Sequence, residues 1–460
     1  VKKVWLVAAL VGLSAMASSV FADVQNIRLS GDVRVRGYYL KNANSDVGTS
    51  RDVNKRDTTF ITQRTRITCE ADLEDHVLVV VTLKAENQWG RPGTATALGG
   101  ENTSAVGVSE AYVQLSEMFF TPATLKLGRQ YLNYGHGLIL SSVDQVYNYD
   151  AGRLVLDFYP FTVDVVGAKL FDGSDYQANP GHFGRNLLFI NGRYEMKDAV
   201  IKDVEAYFGW IANGSANQPS GLPAGAPQAS PWILGVRGDL TPVKNLSVWF
   251  EAAYEGGSAG GTPKATGGNG GISAWLANIG AKYSLGKDVK MQPTINASYT
   301  FASGGGTLNQ NGADQRQFRP FAGVVEGYNG YLFAPALANI HIFNLGASVK
   351  PAQNVTLSLQ GYYYAKAAGT GYAGTDANLD FGGMNGLCAY QTAKKELGYE
   401  LDAIATYDYS KDVRFQLIYA VFMPGQAFTD STGGVNSALP VNNAVNRCAH
   451  ELRAEVNVKF

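Results

Sequence analysis

Apolar and polar residues alternate with a period of two over most of the chain. In the first such window Ile27, Leu29, Val33, Val35 and Tyr39 share one face, and Arg28, Asp32, Arg34 and Arg36 share the other. Val77, Val79, Val81, Leu83 and Ala85 stand against Thr82, Lys84, Glu86 and Gln88. Met291, Ile295, Ala297, Tyr299 and Phe301 stand against Gln292, Thr294, Asn296, Ser298 and Thr300. Leu397, Tyr399, Leu401, Ala403, Ala405 and Tyr407 oppose Glu396, Glu400, Asp402, Thr406 and Asp408. Successive side chains of a strand point to opposite faces, so these windows predict strands with one apolar and one polar side. Eighteen such strands are expected, at 27–39, 59–73, 76–89, 108–118, 123–131, 152–158, 161–170, 185–195, 203–212, 232–240, 245–256, 272–284, 289–302, 340–350, 354–366, 396–409, 412–423 and 449–460.

The connections alternate in length. Links after even strands are short, as at Glu74-Asp75, Tyr159-Pro160, Thr241 to Lys244 and Ser410-Lys411. Links after odd strands are long and rich in Gly, Asn, Ser and Pro, as at 40–58, 90–107, 132–151, 303–339, 367–395 and 424–448. Membrane strands need about 9–11 residues, and bacterial single-chain barrels have an even strand number with short periplasmic turns and long outer loops. The pattern therefore predicts an all-β fold, a transmembrane antiparallel β-barrel of 18 strands with long extracellular loops and short periplasmic turns. The expected location is the bacterial outer membrane.

The two ends fit that location. Lys2 and Lys3 precede an apolar run from Val4 to Met16, then Val20 and Ala22 stand where a signal peptidase reads small residues. Residues 1–22 are thus expected to be a signal peptide and 23–460 a single barrel domain. The last segment alternates as Leu452, Ala454, Val456, Val458 and Phe460. A final strand ending on an aromatic resembles the signal read by the barrel-assembly machinery, an expected partner beside outer-membrane lipids and lipopolysaccharide.

Composition supports this reading. Charged residues are 17%, against roughly 25% in soluble domains, and Gly is 53 of 460 against an ordinary level of about 7%. A chain that turns half of each strand to lipid confines its charges to the other half. The net charge of -1 gives no reason to expect nucleic acid.

At this strand number a barrel encloses an aqueous channel, so its polar face is the wall of a pore. Basic candidates for the solute path are Arg34, Arg36, Arg64, Arg66, Lys84, Arg193, Arg237, Arg414 and Arg453. Acidic candidates for the wall are Glu70, Glu86, Glu110, Glu251, Glu400 and Asp402. The first hairpin brings Arg34 and Arg36 beside Arg64 and Arg66. Like charges across strands are unfavourable. Either Asp32, Glu70 and Glu86 neutralise them or they form a ladder for anionic solutes.

Cys388 and Cys448 fall in consecutive outer loops, and in an oxidising compartment they are candidates for a disulfide. No metal-ligand spacing and no cofactor motif appears. His136 with Ser141 or Ser142 and Asp144 holds the ingredients of a hydrolase triad, but proximity in sequence is not triad geometry. No catalytic residue is expected. The reading is a passive channel for hydrophilic, anionic solutes such as sugar acids or oligosaccharides. The alternatives are a general or adhesin-like porin that binds a partner through its loops, and, further off, a barrel hydrolase.

One stretch carries a family resemblance. It runs Glu110-Ala111-Tyr112-Val113, then Leu125-Lys126-Leu127-Gly128-Arg129-Gln130, then Tyr134-Gly135-His136-Gly137, then Tyr149-Asp150-Ala151-Gly152-Arg153-Leu154. Over about fifty residues this resembles the alginate-export family of outer-membrane porins. The resemblance implies an eighteen-stranded barrel and a pore lined by arginines, with Arg129 and Arg153 in the matching motifs. Arg129 shares the phase of Leu125 and Leu127, so it faces inward only if the strand bends near Gly128. His136 stands where the family often has an acidic residue. The acids at 251, 255, 400 and 402 also depart from a uniformly basic pore.

Overall fold

A computed structural model describes residues 26–42, 57–73, 76–90, 106–142, 148–171, 185–196, 200–213, 230–258, 271–286, 288–305, 316–318, 322–323, 329–335, 337–369, 394–429 and 448–460. The expected signal peptide lies outside these residues, as do Cys388 and Asp144.

Eighteen antiparallel strands form one sheet. They are β1 (Asn26–Lys41), β2 (Thr58–Asp72), β3 (Val77–Gln88), β4 (Val106–Leu115), β5 (Ala123–Gln130), β6 (Tyr149–Phe158), β7 (Phe161–Phe171), β8 (Arg185–Glu195) and β9 (Ile201–Asn213). The second half is β10 (Ser230–Val243), β11 (Leu246–Ser258), β12 (Gly271–Ser284), β13 (Thr294–Ala302), β14 (Ile340–Ala352), β15 (Val355–Ala365), β16 (Glu396–Asp408), β17 (Val413–Pro424) and β18 (Ala449–Lys459). Each strand pairs with the next, and β18 pairs back onto β1 from Asp32↔Lys459 to Lys41↔His450. Phe460 and Gly31 finish the seam with reciprocal backbone bonds of 2.8 and 3.1 Å. Closure leaves no sheet edge, so the strands can satisfy their backbone groups inside hydrocarbon. Among the described residues no helix is long and apolar enough to cross a membrane.

The expected alternation sets the two faces. Ile27, Leu29, Leu83, Leu127, Ile279, Leu345 and Leu417 are exposed on the outside. Aromatics mark two levels of that surface. Trp232, Tyr254 and Trp275 pack side by side near the loop end with their rings tilted to one another, centroids 5.6 and 4.4 Å apart. Tyr407 and Phe415 lie near the turn end.

Two strand details differ from expectation. The strand expected over 289–302 begins at Thr294. Met291 and Gln292 take positive φ, and Pro293 has no N–H to give a ladder, so 288–293 turns instead. Leu397 is fully buried although its phase is the lipid one. The cause is a register shift between β15 and β16, where Gly398 takes φ 134° and turns the strand end inward.

The interior is not an empty polar tube. The segment 131–142 after β5 and parts of 316–339 after β13 fold into the barrel. They meet each other in a short parallel pairing of Leu140–Ser141 with Ala322–Gly323. Each lies on inward apolar side chains of the wall. Tyr134 packs on Phe189 at 4.7 Å, and Phe189 on Tyr207 at 5.7 Å. Phe333 packs on Phe422 at 4.5 Å and on Tyr364 at 4.9 Å.

Candidate functional site: a lumen between two infolded loops

The wall carboxylates decide where the loops sit. Glu251 is 1% exposed. It accepts the His136 N–H at 2.7 Å and the Tyr207 hydroxyl at 2.8 Å. Glu205 on β9 accepts the Gly135 N–H at 3.1 Å, and Asp164 on β7 accepts the Tyr134 hydroxyl at 2.7 Å. On the far side, Glu400 accepts the N–H groups of Leu332 and Phe333 at 2.7 and 2.8 Å. Asp402 accepts that of Tyr331 at 3.3 Å. The Tyr364 hydroxyl donates to the Asn329 carbonyl at 2.6 Å.

Both loops reach their carboxylate through a glycine in the left-handed region. A Cβ on Gly135 (φ 62°) would sit 2.4 Å from Glu251 Oε1, and one on Gly330 (φ 106°) 2.8 Å from Glu400 Oε1. Any side chain would press on the group that the following N–H groups bind. This gives a physical reason for the Tyr134-Gly135-His136-Gly137 motif.

These contacts correct one expectation. Glu251, Glu400 and Asp402 were expected to be acidic wall facing solute. They are buried, and they hold loop backbone. A hydrogen-bonded, desolvated carboxylate is a structural anchor, because exposing it to solute would leave buried N–H groups unpaired.

Cations brace the same anchors. Arg153 reaches Asp164 at 2.8 Å, beneath the Tyr134 ring. Arg193 and Arg237 both bind Asp203, at 2.7 and 2.9 Å, and Arg237 also binds Glu205 at 2.7 Å. Arg237 contacts Asp239 as well. His136 lies between Asp239 (3.1 Å) and Glu251 (3.3 Å). Burial opposes its charged form, but the hydrogen bonds and charge of Glu251 and Asp239 outweigh that and raise its pKa. The serines of the supposed triad point elsewhere: Ser141 donates to Asn133 at 3.2 Å, and Ser142 accepts the Leu132 N–H at 3.1 Å.

Between the two anchorages, β18 and β1–β3 carry the basic residues. Arg34 stands directly across from Arg64, and Arg66 across from Lys84. Asp32 binds Arg64 at 3.2 Å and also Arg66. Glu86 lies 3.9 Å from Arg34 and 3.5 Å from Lys84, and Glu455 binds Arg36. Of the alternatives raised by the sequence, neutralisation by nearby carboxylates is the one these ion pairs display. Asp32, Glu86 and Glu455 thus take part in pairing all five cations of this cluster. Glu70 does not join them; it pairs with Arg28 at 2.9 Å toward the turn end. Glu110 accepts from Thr82 at 3.2 Å. Arg453 pairs with Glu451 at 2.6 Å and stacks over Tyr38 and Tyr331. Arg414, 60% exposed, pairs with Asp408 at 2.6 Å at the periplasmic mouth.

Arg129 does not face the lumen. The strand keeps its phase through Gly128, so Arg129 follows Leu127 onto the outer surface, where it pairs with Asp150. Cys448 is described and exposed at the start of β18, whereas its expected partner Cys388 lies outside the described residues.

A second stripe was not read from the sequence. Asn278 donates to Thr300 at 2.7 Å, and Asn296, Asn344 and Gln360 join across β13, β14 and β15 at 2.9–3.3 Å. This arc between the loop anchorages is lined by amides, with Lys282 of β12 directly across from Asn296. Its signal in the sequence is the amide at inward positions of three consecutive strands.

No curated protein matches the chain. Among solved structures it is similar to OccD1 (OprD), with 15% identity, a TM-score of 0.54, and 95% of this chain and 97% of that one covered. It is also similar to Pseudomonas aeruginosa OpdL (10% identity, TM-score 0.54, 95% and 99% covered) and OccK8 (OprE) (10%, 0.53, 96% and 99%). Identities this low speak for the barrel fold alone. A family model described as alginate export matches residues 26–442, which is most of the chain. The chain belongs to the alginate-export family and is a channel of the bacterial outer membrane.

Proposed function

We propose that the channel passes hydrophilic anionic solutes of the sugar-acid or oligosaccharide class by diffusion. The observation that carries this is the disposition of charge. The carboxylates at Glu251, Glu400 and Asp402 are occupied by loop backbone, while Arg34, Arg36, Arg64, Arg66 and Lys84 cluster on three adjacent strands. A one-sided ring of charge at a constriction selects the opposite sign, because the low-dielectric wall focuses its field. The amide stripe on β13–β15 offers hydroxyl partners opposite the basic arc, which suits a molecule bearing both carboxylates and hydroxyls.

The test is the reversal potential of single channels in a salt gradient. Wild type should favour anions. Arg34→Gln with Arg64→Gln should move the reversal potential toward cations, and soluble uronate oligomers should block wild-type current more than the variant's. A wild-type channel that is cation-selective and indifferent to uronates refutes the reading. Arg129→Gln serves as a control, because its side chain is on the outer surface and selectivity should not change.

A further inference from the structure

One large aromatic side chain stands in the lumen apart from the rings that pack beneath the infolded loops. Trp249 of β11 is on the inward phase, one inward position nearer the turns than Glu251. Directly across from it on β12 is Gly280. A Cβ on Gly280 would run into the six-membered ring of the indole, so Trp249 rests on the wall where a side chain is missing. Its other face is left to the lumen, and the residue is only half-buried. It belongs to no part of the apolar cluster that takes in Phe189, Tyr207, Tyr364 and Phe422. Its N–H donates to Asn278 at 3.0 Å, and Asn278 is held in turn by Thr300 at 2.7 Å. The orientation of the ring is thereby fixed.

An indole face turned to water costs free energy until something apolar covers it. The neighbouring side chains indicate what that cover is. Lys282, exposed and two residues from the turn end of β12, is the next inward position after Gly280. It stands across from Asn296, which opens the run of amides through Asn344 and Gln360. Gln360 likewise lies over a glycine, Gly346, whose Cβ would displace it. The bonds among the three amides leave a Gln360 N–H and a lone pair on each asparagine oxygen for a ligand. On the β10 side Asp239 stands across from Trp249, and it is already held by Arg237 and His136.

We infer that Trp249, Lys282 and the Asn296–Asn344–Gln360 amides form a binding subsite for a pyranose ring of an acidic oligosaccharide, on the turn side of the first loop's anchor. The inference rests on the solute class proposed above and adds to it a place and a requirement for a ring. The apolar C–H face of a pyranose covers the indole. Its hydroxyls exchange hydrogen bonds with the amides, and its carboxylate meets Lys282. An open-chain sugar acid brings the same polar groups but no rigid apolar face, so it gains nothing from Trp249.

The test is block of single channels, inserted in one orientation, by three probes: a uronate trisaccharide, a neutral trisaccharide and open-chain gluconate. In wild type the uronate trisaccharide should reside longest and gluconate shortest. Block from the turn side should form faster than from the loop side, because that route does not cross the constriction. Trp249→Leu should shorten the residence of both trisaccharides about tenfold, the scale of one uncovered aromatic face, and leave gluconate unchanged. Trp249→Phe should recover part of that loss, since it restores a ring without the bond to Asn278. Lys282→Gln should bring the uronate trisaccharide down to the neutral one, and its exposed position keeps the test available if the Trp249 variants fold poorly. Heat-modifiable migration verifies that each variant is a closed barrel. Equal residence of all three probes in wild type, wild-type residence in Trp249→Leu, a uronate preference that survives Lys282→Gln, or faster block from the loop side overturns the subsite. The reversal potential of the same channels separates the two claims. Anion selectivity without a ring preference sinks the subsite alone, whereas cation selectivity with a Trp249-dependent residence sinks the anion reading alone.

Discussion

Glu400 gives the sharpest test of the loop-anchor reading. Its carboxylate is 2% exposed and accepts two consecutive backbone N–H groups, from Leu332 and Phe333, at 2.7 and 2.8 Å. A hydrogen bond to a charged acceptor contributes about 1.5–3 kcal/mol, so the pair is worth roughly 3–6 kcal/mol to docking of the 329–335 segment. Glu400→Ala removes both bonds and leaves two donors buried against Tyr364. At about 1.4 kcal/mol per tenfold, the docked-to-undocked ratio should fall by roughly 10²–10⁴. Single-channel recording should then show larger conductance with frequent switching between levels. Limited proteolysis should cut the loop faster in intact barrels. Tyr364→Phe, which loses the 2.6 Å bond to the Asn329 carbonyl and a longer one of 3.4 Å to Glu400 but keeps both backbone bonds to that carboxylate, should cost about 1 kcal/mol and shift both readouts slightly. A folded Glu400→Ala barrel with wild-type conductance, wild-type noise and a protease-resistant loop would refute the claim that this carboxylate holds the constriction.

The other anchorage is expected to respond to pH. The His136 pKa is raised, so its stabilisation of the docked loop is full below the ordinary imidazole value near 6.5 and is lost as pH rises through the raised one. Conductance of wild type should step upward with alkalinity in that window, whereas His136→Phe should show no such step. Gly135→Ala places a Cβ 2.4 Å from Glu251 Oε1 on a left-handed backbone, and should undock the first loop without preventing barrel assembly, as read by proteolysis beside heat-modifiable migration. Gly31→Val meets the Arg66 carbonyl and the Phe460 ring at the β1–β18 seam, and should lower the temperature at which the barrel loses its compact migration.

The barrel was legible because it obeys a simple physical constraint. Lipid on one side and water on the other impose period-two alternation, and closure imposes an even number of paired strands with turns and loops on opposite rims. What alternation could not reveal was the loops' return into the lumen. It treats the inward face as solvated, yet Phe189, Tyr207, Tyr364 and Phe422 point inward and are buried. A trace of this exists in the sequence. Leu187-Leu188-Phe189-Ile190 and Val421-Phe422-Met423 are apolar in both phases, as strands covered on both faces are. Read that way, they locate the wall positions against which a loop must lie. Arg129 illustrates the converse: its phase with Leu127 already placed it outside, and the strand does not bend to reverse that.

The lumen's chemistry then follows from which charges the fold consumes. A count over the polar face finds both signs in nearly equal number, so selectivity depends on which charges ring the narrowest point. The count treats every charge as open to contact by solute, whereas Glu251 and Glu400, at 1–2% exposure, are covered by the loops whose N–H groups they accept. The acids are spent in this way at β7–β11 and β16, opposite the loops' N–H groups. Asp164, Glu205 and Glu251 hold the first loop and Glu400 and Asp402 the second, and Arg153, Arg193 and Arg237 brace the first anchorage from the same wall. If the channel selects anions as proposed, the loops' choice of anchor contributes to that selectivity together with the arginines.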